Sequence, residues 1–91
     1  MAIILKANGQ QVGIEPANGK DFSLEELKNA IGGGYIEIVR LQLDKKLIVC
    51  DEDGRSKGLP LNLQASQRYG NQVNGGDFVG DVLICKLSEI E

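Results

Sequence analysis

The chain has 91 residues, 42% of them hydrophobic, with ten basic side chains against thirteen acidic ones and no histidine, for a net charge of −3. That length supports one domain, residues 1–91, with a single modest core, and the composition is that of a folded chain rather than a disordered one. The mildly acidic balance argues against a nucleic-acid binder that works by neutralising phosphates, and two cysteines are too few for a disulfide framework and cannot complete an ordinary zinc site without histidine.

The apolar start Met1 to Leu5 stops at Lys6 with no basic region before it, so neither a signal peptide nor a membrane span is expected, and the cytoplasm is the expected location. Ile3 to Ala7, Asn8-Gly9 and then Val12 and Ile14 read as a hairpin closed by a two-residue turn and ended by Pro16. Ser23-Leu24-Glu25-Glu26 has the spacing of a capping box, and Leu24, Leu27 and Ile31 recur at helical spacing behind it. Phe22 stands where a staple would, and Gly32-Gly33-Gly34 is the stop. Tyr35 to Leu43 reads as a strand with Tyr35, Glu37 and Val39 on one face and Ile36, Ile38 and Arg40 on the other, with a shift at Leu41 that a bulge or a doubly covered strand would explain. Asp44-Lys45 turns the chain into Lys46 to Asp51, completing a second hairpin.

Asp53-Gly54 reads as a turn tolerating positive φ, and Arg55 to Leu61 as a short edge strand in which Pro60 is acceptable. Asn62 caps a short helix to Tyr69, with Leu63 and Ala65 or Ser66 inward and Gly70 as its end. Asn71 to Gly76 is a polar loop. Phe78 to Leu87 is a mostly apolar strand placed centrally, and Ser88 to Glu91 a fraying tail. Cys50 and Cys85 close the apolar runs LIVC and VLIC, which marks both as reduced core residues. These pieces predict an α+β fold, a mostly antiparallel sheet of about five strands with two short helices packed on one face.

The chemistry that the sequence offers is sparse. Gly32-Gly33-Gly34 follows a helix and feeds a strand, whereas a phosphate cradle needs glycines that feed a helix N-terminus, so a helix stop is the favoured reading. Asp51-Glu52-Asp53-Gly54 resembles the start of a calcium loop, but Asn62 stands where that loop requires a bidentate Glu. Nucleophilic catalysis lacks a histidine base, no lysine is marked as buried, and a Glu37 and Asp81 carboxylate pair is within what thirteen acids produce by chance. No catalytic residue, metal ligand or cofactor is therefore assigned. Tyr35 and Tyr69 with Arg40, Arg55 and Arg68 could form an aromatic and cationic pocket for a base and a phosphate.

The phrase IGGGYIEIVRL, then DEDGRSKGLPLN with Ala65 three residues on, then FVGDVLI, resembles a family of small uncharacterised domains, domain of unknown function 3846, carried by phages, plasmids and other mobile elements. The likeness spans Ile31 to Leu87, with Leu63 standing where a basic residue commonly follows the Asn. It implies a genomic setting more than a mechanism. The resulting expectation is a non-enzymatic binding protein of a phage or mobile element, acting against host defence by sequestering a small nucleotide-like ligand or a host protein. Its site residues would be Tyr35, Glu37, Arg40, Arg55, Asn62 and Arg68, with a homo-oligomer considered as the way to build a pocket between subunits. The alternatives are an acidic decoy of a host nucleic-acid enzyme, against which the interspersed lysines and arginines argue, and a small enzyme using carboxylate or lysine chemistry.

Overall fold

The apolar runs ending in Cys50 and Cys85 lie side by side at the middle of the molecule. In the computed structural model, which describes residues 2–41, 45–72 and 77–90, they form β4 (Lys46–Asp51) and β5 (Val82–Cys85), paired antiparallel through Leu47↔Cys85, Ile48↔Ile84 and Val49↔Leu83. Around them stand β1 (Ala2–Leu5), β2 (Gln11–Ile14) and β3 (Ile36–Leu41), and the helices are α1 (Leu24–Ala30) and α2 (Leu63–Tyr69). One five-stranded sheet runs in the order β2-β1-β5-β4-β3 with every pairing antiparallel. The α+β class, the antiparallel sheet and the two short helices are as the sequence predicts, and β5 is central.

The helices do not share a face. Side chains alternate along a strand, and here each set has its own cover. Leu47, Val49, Leu83 and Cys85 pack with Leu27 and Ala30 of α1 and with Phe22 and Ile31 beside it. Ile48, Cys50, Val82 and Ile84 pack with Ala65 of α2 and with Leu5, Leu41 and Phe78. The physical reason is the composition of β4 and β5: runs with no polar residue at alternate positions have two apolar faces, and each must be hidden from water. Burying one such aliphatic side chain contributes roughly 1.5–3 kcal/mol.

The termini of the elements follow local chemistry. The first hairpin loop is one residue longer than expected: Lys6 N–H donates to Gln10 O at 2.9 Å, Gly9 N–H to Lys6 O at 3.0 Å, and Gly9 sits at φ 97°. This is the three-residue pattern of a turn followed by a left-handed residue. Ser23 caps α1 with both bonds of the capping box in place, Glu26 N–H to Ser23 Oγ at 3.2 Å and Ser23 N–H to Glu26 Oε1 at 2.9 Å. At the other end Gly33 N–H reaches Lys28 O at 2.7 Å and Gly32 N–H reaches Asn29 O at 3.2 Å, the paired bonds of a Schellman stop. Leu24, expected inward, is 56% exposed, because the buried stripe runs through Leu27, Ala30 and Ile31.

Strand β3 pairs without interruption from Ile36↔Asp51 to Leu41↔Lys46, so no bulge occurs, and Leu41 simply continues the Glu37 and Val39 face. Of the turn that follows, Lys45 has φ 54° and Asp44 lies outside the described residues.

The segment Arg55 to Leu61 is not a strand. Gly54 N–H bonds Asp51 O, Lys57 N–H bonds Asp53 O, and Leu59 N–H bonds Gly54 O, so local turns take the groups that a ladder would need, and only Leu61 forms a bridge, with Val79. Gly54 does not use positive φ either; a Cβ there would stand 2.8 Å from Val79 Cγ2, so the position demands close approach. In α2, Ala65 is inward and Leu63 is 57% exposed. Gly70 continues into a 3₁₀ turn, Gly70–Gln72, which takes in the start of the expected loop; residues 73–76 of that loop lie outside the described residues. β5 is shorter than Phe78 to Leu87, since Phe78 spends its backbone groups on Ser66 and Asn62 and Gly80 N–H bonds Pro60 O. The tail through Ile90 is ordered rather than frayed: Leu87–Glu89 forms a 3₁₀ turn, Glu89 is buried, and its carbonyl accepts from Phe22 N–H.

Candidate ligand site

The six residues singled out in the sequence do not converge. Tyr35, 69% exposed, and Glu37 lie at the start of outer strand β3, where the Lys28 ammonium stands 6.0 Å from the Tyr35 ring centre. Arg55 is exposed on the turn and donates to Asp77 O at 3.2 Å. Asn62 has no exposed surface: its Nδ2 donates to Leu5 O at 2.7 Å and Gly80 O at 2.8 Å, and its Oδ1 accepts from Ala65 N–H at 3.1 Å. Glu37 and Asp81 are on strands and segments separated by β4, and Asp81 accepts from Ala7 N–H at 2.9 Å. Arg40 and Arg68 alone come to one end of the sheet.

An ion pair closes the acidic turn beside the glycine run. Lys57 Nζ lies 2.7 Å from Asp51 Oδ2, whose other oxygen accepts from Asp53 N–H at 2.8 Å. Burial works to raise the Asp51 carboxyl, and the Lys57 ammonium and the Asp53 N–H overcome it, holding the group below the ordinary carboxylate range. Gly34, at φ 90°, leaves room for this clasp, because a Cβ there would stand 2.5 Å from Lys57 Nζ. The pair is structural. A depressed folded-state value means that its contribution is present above the ordinary Asp range and is lost as pH falls through the folded value. Lys57→Ala is expected to cost about 1–2 kcal/mol at neutral pH by stranding a buried carboxylate, a modest figure because the lost partner is itself half-exposed. Urea titration between pH 7 and pH 3 checks this: the variant and the parent should differ at pH 7, and the gap should narrow as the pH falls.

The opposite end of the sheet carries the cations. Arg40, Lys45 and Lys46 edge a cavity of about 330 Å³ whose apolar lining is Leu41, Leu47 and Leu87. Lys46 also lines a second cavity of about 160 Å³, with Arg68, Lys86 and Tyr69 beside Ile3, Leu5 and Ile84. Five of the ten basic side chains thus meet at one end of a chain that is acidic overall, and among the described residues no carboxylate lines either cavity. Arg40, Lys45, Lys46 and Arg68 make no ion pair with another described residue. Strand pairing explains the concentration: Leu41↔Lys46 puts Arg40 and Lys46 near the same strand ends, and one step beyond Leu47↔Cys85 the chain reaches Lys46 on β4 and Lys86 after β5. Like charges facing across a strand pair repel, so this end is electrostatically suited to an anion. An apolar floor with a cationic rim and a half-buried tyrosine suits an anion that carries an apolar or aromatic body. The Lys45-Lys46 doublet is visible in the sequence only as charge. Lys86 and Tyr69 acquire their place through pairings between segments far apart in the chain.

Fold and site together define a small α+β domain with cation-rimmed cavities at one end of its sheet. The family described as Domain of unknown function (DUF3846) matches residues 1–91, and the chain belongs to that family. No curated protein and no solved structure matches it. Among the described residues, no helix is long and apolar enough to cross a membrane.

Proposed function

We propose that the chain is a non-enzymatic binding protein of a phage or other mobile element, working in the cytoplasm to sequester a small nucleotide-like anion against host defence. The observation that carries this reading is the gathering of Arg40, Lys45, Lys46, Arg68 and Lys86 around two cavities with apolar linings in a chain of net charge −3. Arg forks pair with phosphate oxygens, lysines supply point charge, and Tyr69 and Arg68 offer flat surfaces to a base. Binding without turnover is supported by the thiols: burial pushes Cys50 up to about 12 and Cys85 up to about 11, away from the nucleophilic range. A decoy imitating nucleic acid would present carboxylates where this end presents cations.

Native mass spectrometry of the protein isolated from cells bearing the element tests the proposal. The expected result is a retained small molecule of nucleotide mass, released chemically intact on denaturation. Recovery of the protein bare, or with a host polypeptide alone, or with a converted product, would overturn it.

A further inference from the structure

Resting on that reading, we infer that the ligand is bipartite: two bodies with apolar or aromatic faces joined through a central anionic group seated at Lys46, the chemistry of a dinucleotide. Among the described residues, the two cavities share Lys46 and otherwise have separate linings. Each has an apolar floor of its own, Leu41, Leu47 and Leu87 in one and Ile3 and Ile84 with the Tyr69 ring in the other. Each also has its own arginine, Arg40 or Arg68. The smaller cavity, about 160 Å³, is below the usual range for a complete small-molecule site, and the larger, about 330 Å³, is at its lower limit. Neither suits a large ligand alone, whereas the pair accommodates two modest bodies.

The charge arrangement places the linking anion. Lys46 belongs to both cavities, and Lys86 lines the smaller one, one step beyond the Leu47↔Cys85 pair, so two ammonium groups stand together where the lobes meet. A phosphate there interacts with both ammonium groups, while the arginines flank it on either side. Joining the two bodies makes occupation of the second lobe intramolecular, which multiplies affinity without any further contact.

The test compares the linear dinucleotide pApA with AMP by isothermal titration calorimetry on the full chain, with parent protein, Lys46→Ala, Arg68→Ala and Lys20→Ala. Lys46, Arg68 and Lys20 are exposed, so all three variants should fold, as circular dichroism would verify. The expected result is one pApA per chain, bound about 100-fold more tightly than AMP. Lys46→Ala should abolish most of that advantage, Arg68→Ala should weaken pApA more than AMP, and Lys20→Ala, with the same change of charge, should leave both unaffected. Equal affinity for pApA and AMP would overturn the bipartite ligand and leave the sequestering reading standing. Absence of binding by either nucleotide would count against both. An equal loss in the Lys20 and Lys46 variants would reduce the effect to net charge and overturn the central seat.

Discussion

Replacing Asn62 with alanine is expected to lower the free energy of unfolding by about 3–5 kcal/mol, enough to unfold a marginal domain. The side chain has no exposure and uses every polar valence that its position requires. Oδ1 caps α2 through Ala65 N–H, and the two Nδ2 protons hold Leu5 O at the end of β1 and Gly80 O at the approach to β5. Its backbone N–H also donates to Phe78 O at 2.8 Å. Alanine removes a cap, a loss of about 1 kcal/mol, and withdraws the amide donors from two buried carbonyls, at about 1–2 kcal/mol each. Urea titration should therefore show a large fall in midpoint with little change in slope. Asn62→Asp separates the two contributions: it keeps the shape and the capping oxygen, but an ionised carboxylate only accepts hydrogen bonds and would face two carbonyl oxygens. It should be at least as damaging as alanine at neutral pH, and partly relieved in acid, where the protonated carboxyl regains a donor. An Asn62→Asp variant as stable as the parent would show that the two carbonyls do not need the amide.

Asn62 also marks how far the sequence can be read. Its capping task is legible because the Asn stands immediately before a helical pattern, and the same local logic places Ser23 and the Gly32-Gly33-Gly34 stop. Its two donor bonds are not legible, since they join residues 57 and 18 positions away. The helices follow the same division. Each can be located from its caps, but their assignment to opposite faces depends on weighing LIVC and VLIC as strands apolar on both sides, whereas hairpin-length links by themselves suggest a sheet with one covered face. At Arg55 to Leu61 the β-like composition loses to hydrogen bonds within the turn, with the Asp51 carboxylate already committed to Asp53 N–H and Lys57. For the ligand site, Arg40 and Arg68 are identifiable from residue type. Tyr69 is identifiable in the same way, whereas Lys46 and Lys86 are brought beside these residues by the β4 and β5 pairing, which no spacing along the chain encodes.

Alkaline pH should destabilise the protein steeply, and the buried thiols should be the cause. Cys50 is raised to about 12, first by burial and then by the neighbouring Glu37 charge and hydrogen bonding, and Cys85 to about 11 by burial and the Glu89 charge, from an ordinary value of 9.0. Below pH 9 both folded and unfolded chains keep these protons, so the thiols leave stability independent of pH. Above it the unfolded chain releases protons that the native chain retains, and stability falls by about 1.4 kcal/mol per pH unit for each thiol. With both contributing between the ordinary value and the folded value of Cys85, the slope approaches ~3 kcal/mol per unit, so a domain of common stability should unfold within two or three units. The informative comparison is with Cys50→Ala/Cys85→Ala. That variant should be weaker than the parent at pH 7 through lost packing, yet fall much less between pH 9 and pH 11, so that the two stability curves converge or cross. Parallel curves would mean that the thiols ionise as readily in the native chain as in the unfolded one. The same burial predicts that alkylation by iodoacetamide at pH 7.5 proceeds only through opening of the structure, at a rate that rises with urea. Fast modification without urea would place a reactive thiolate in the native protein and return nucleophilic chemistry to consideration.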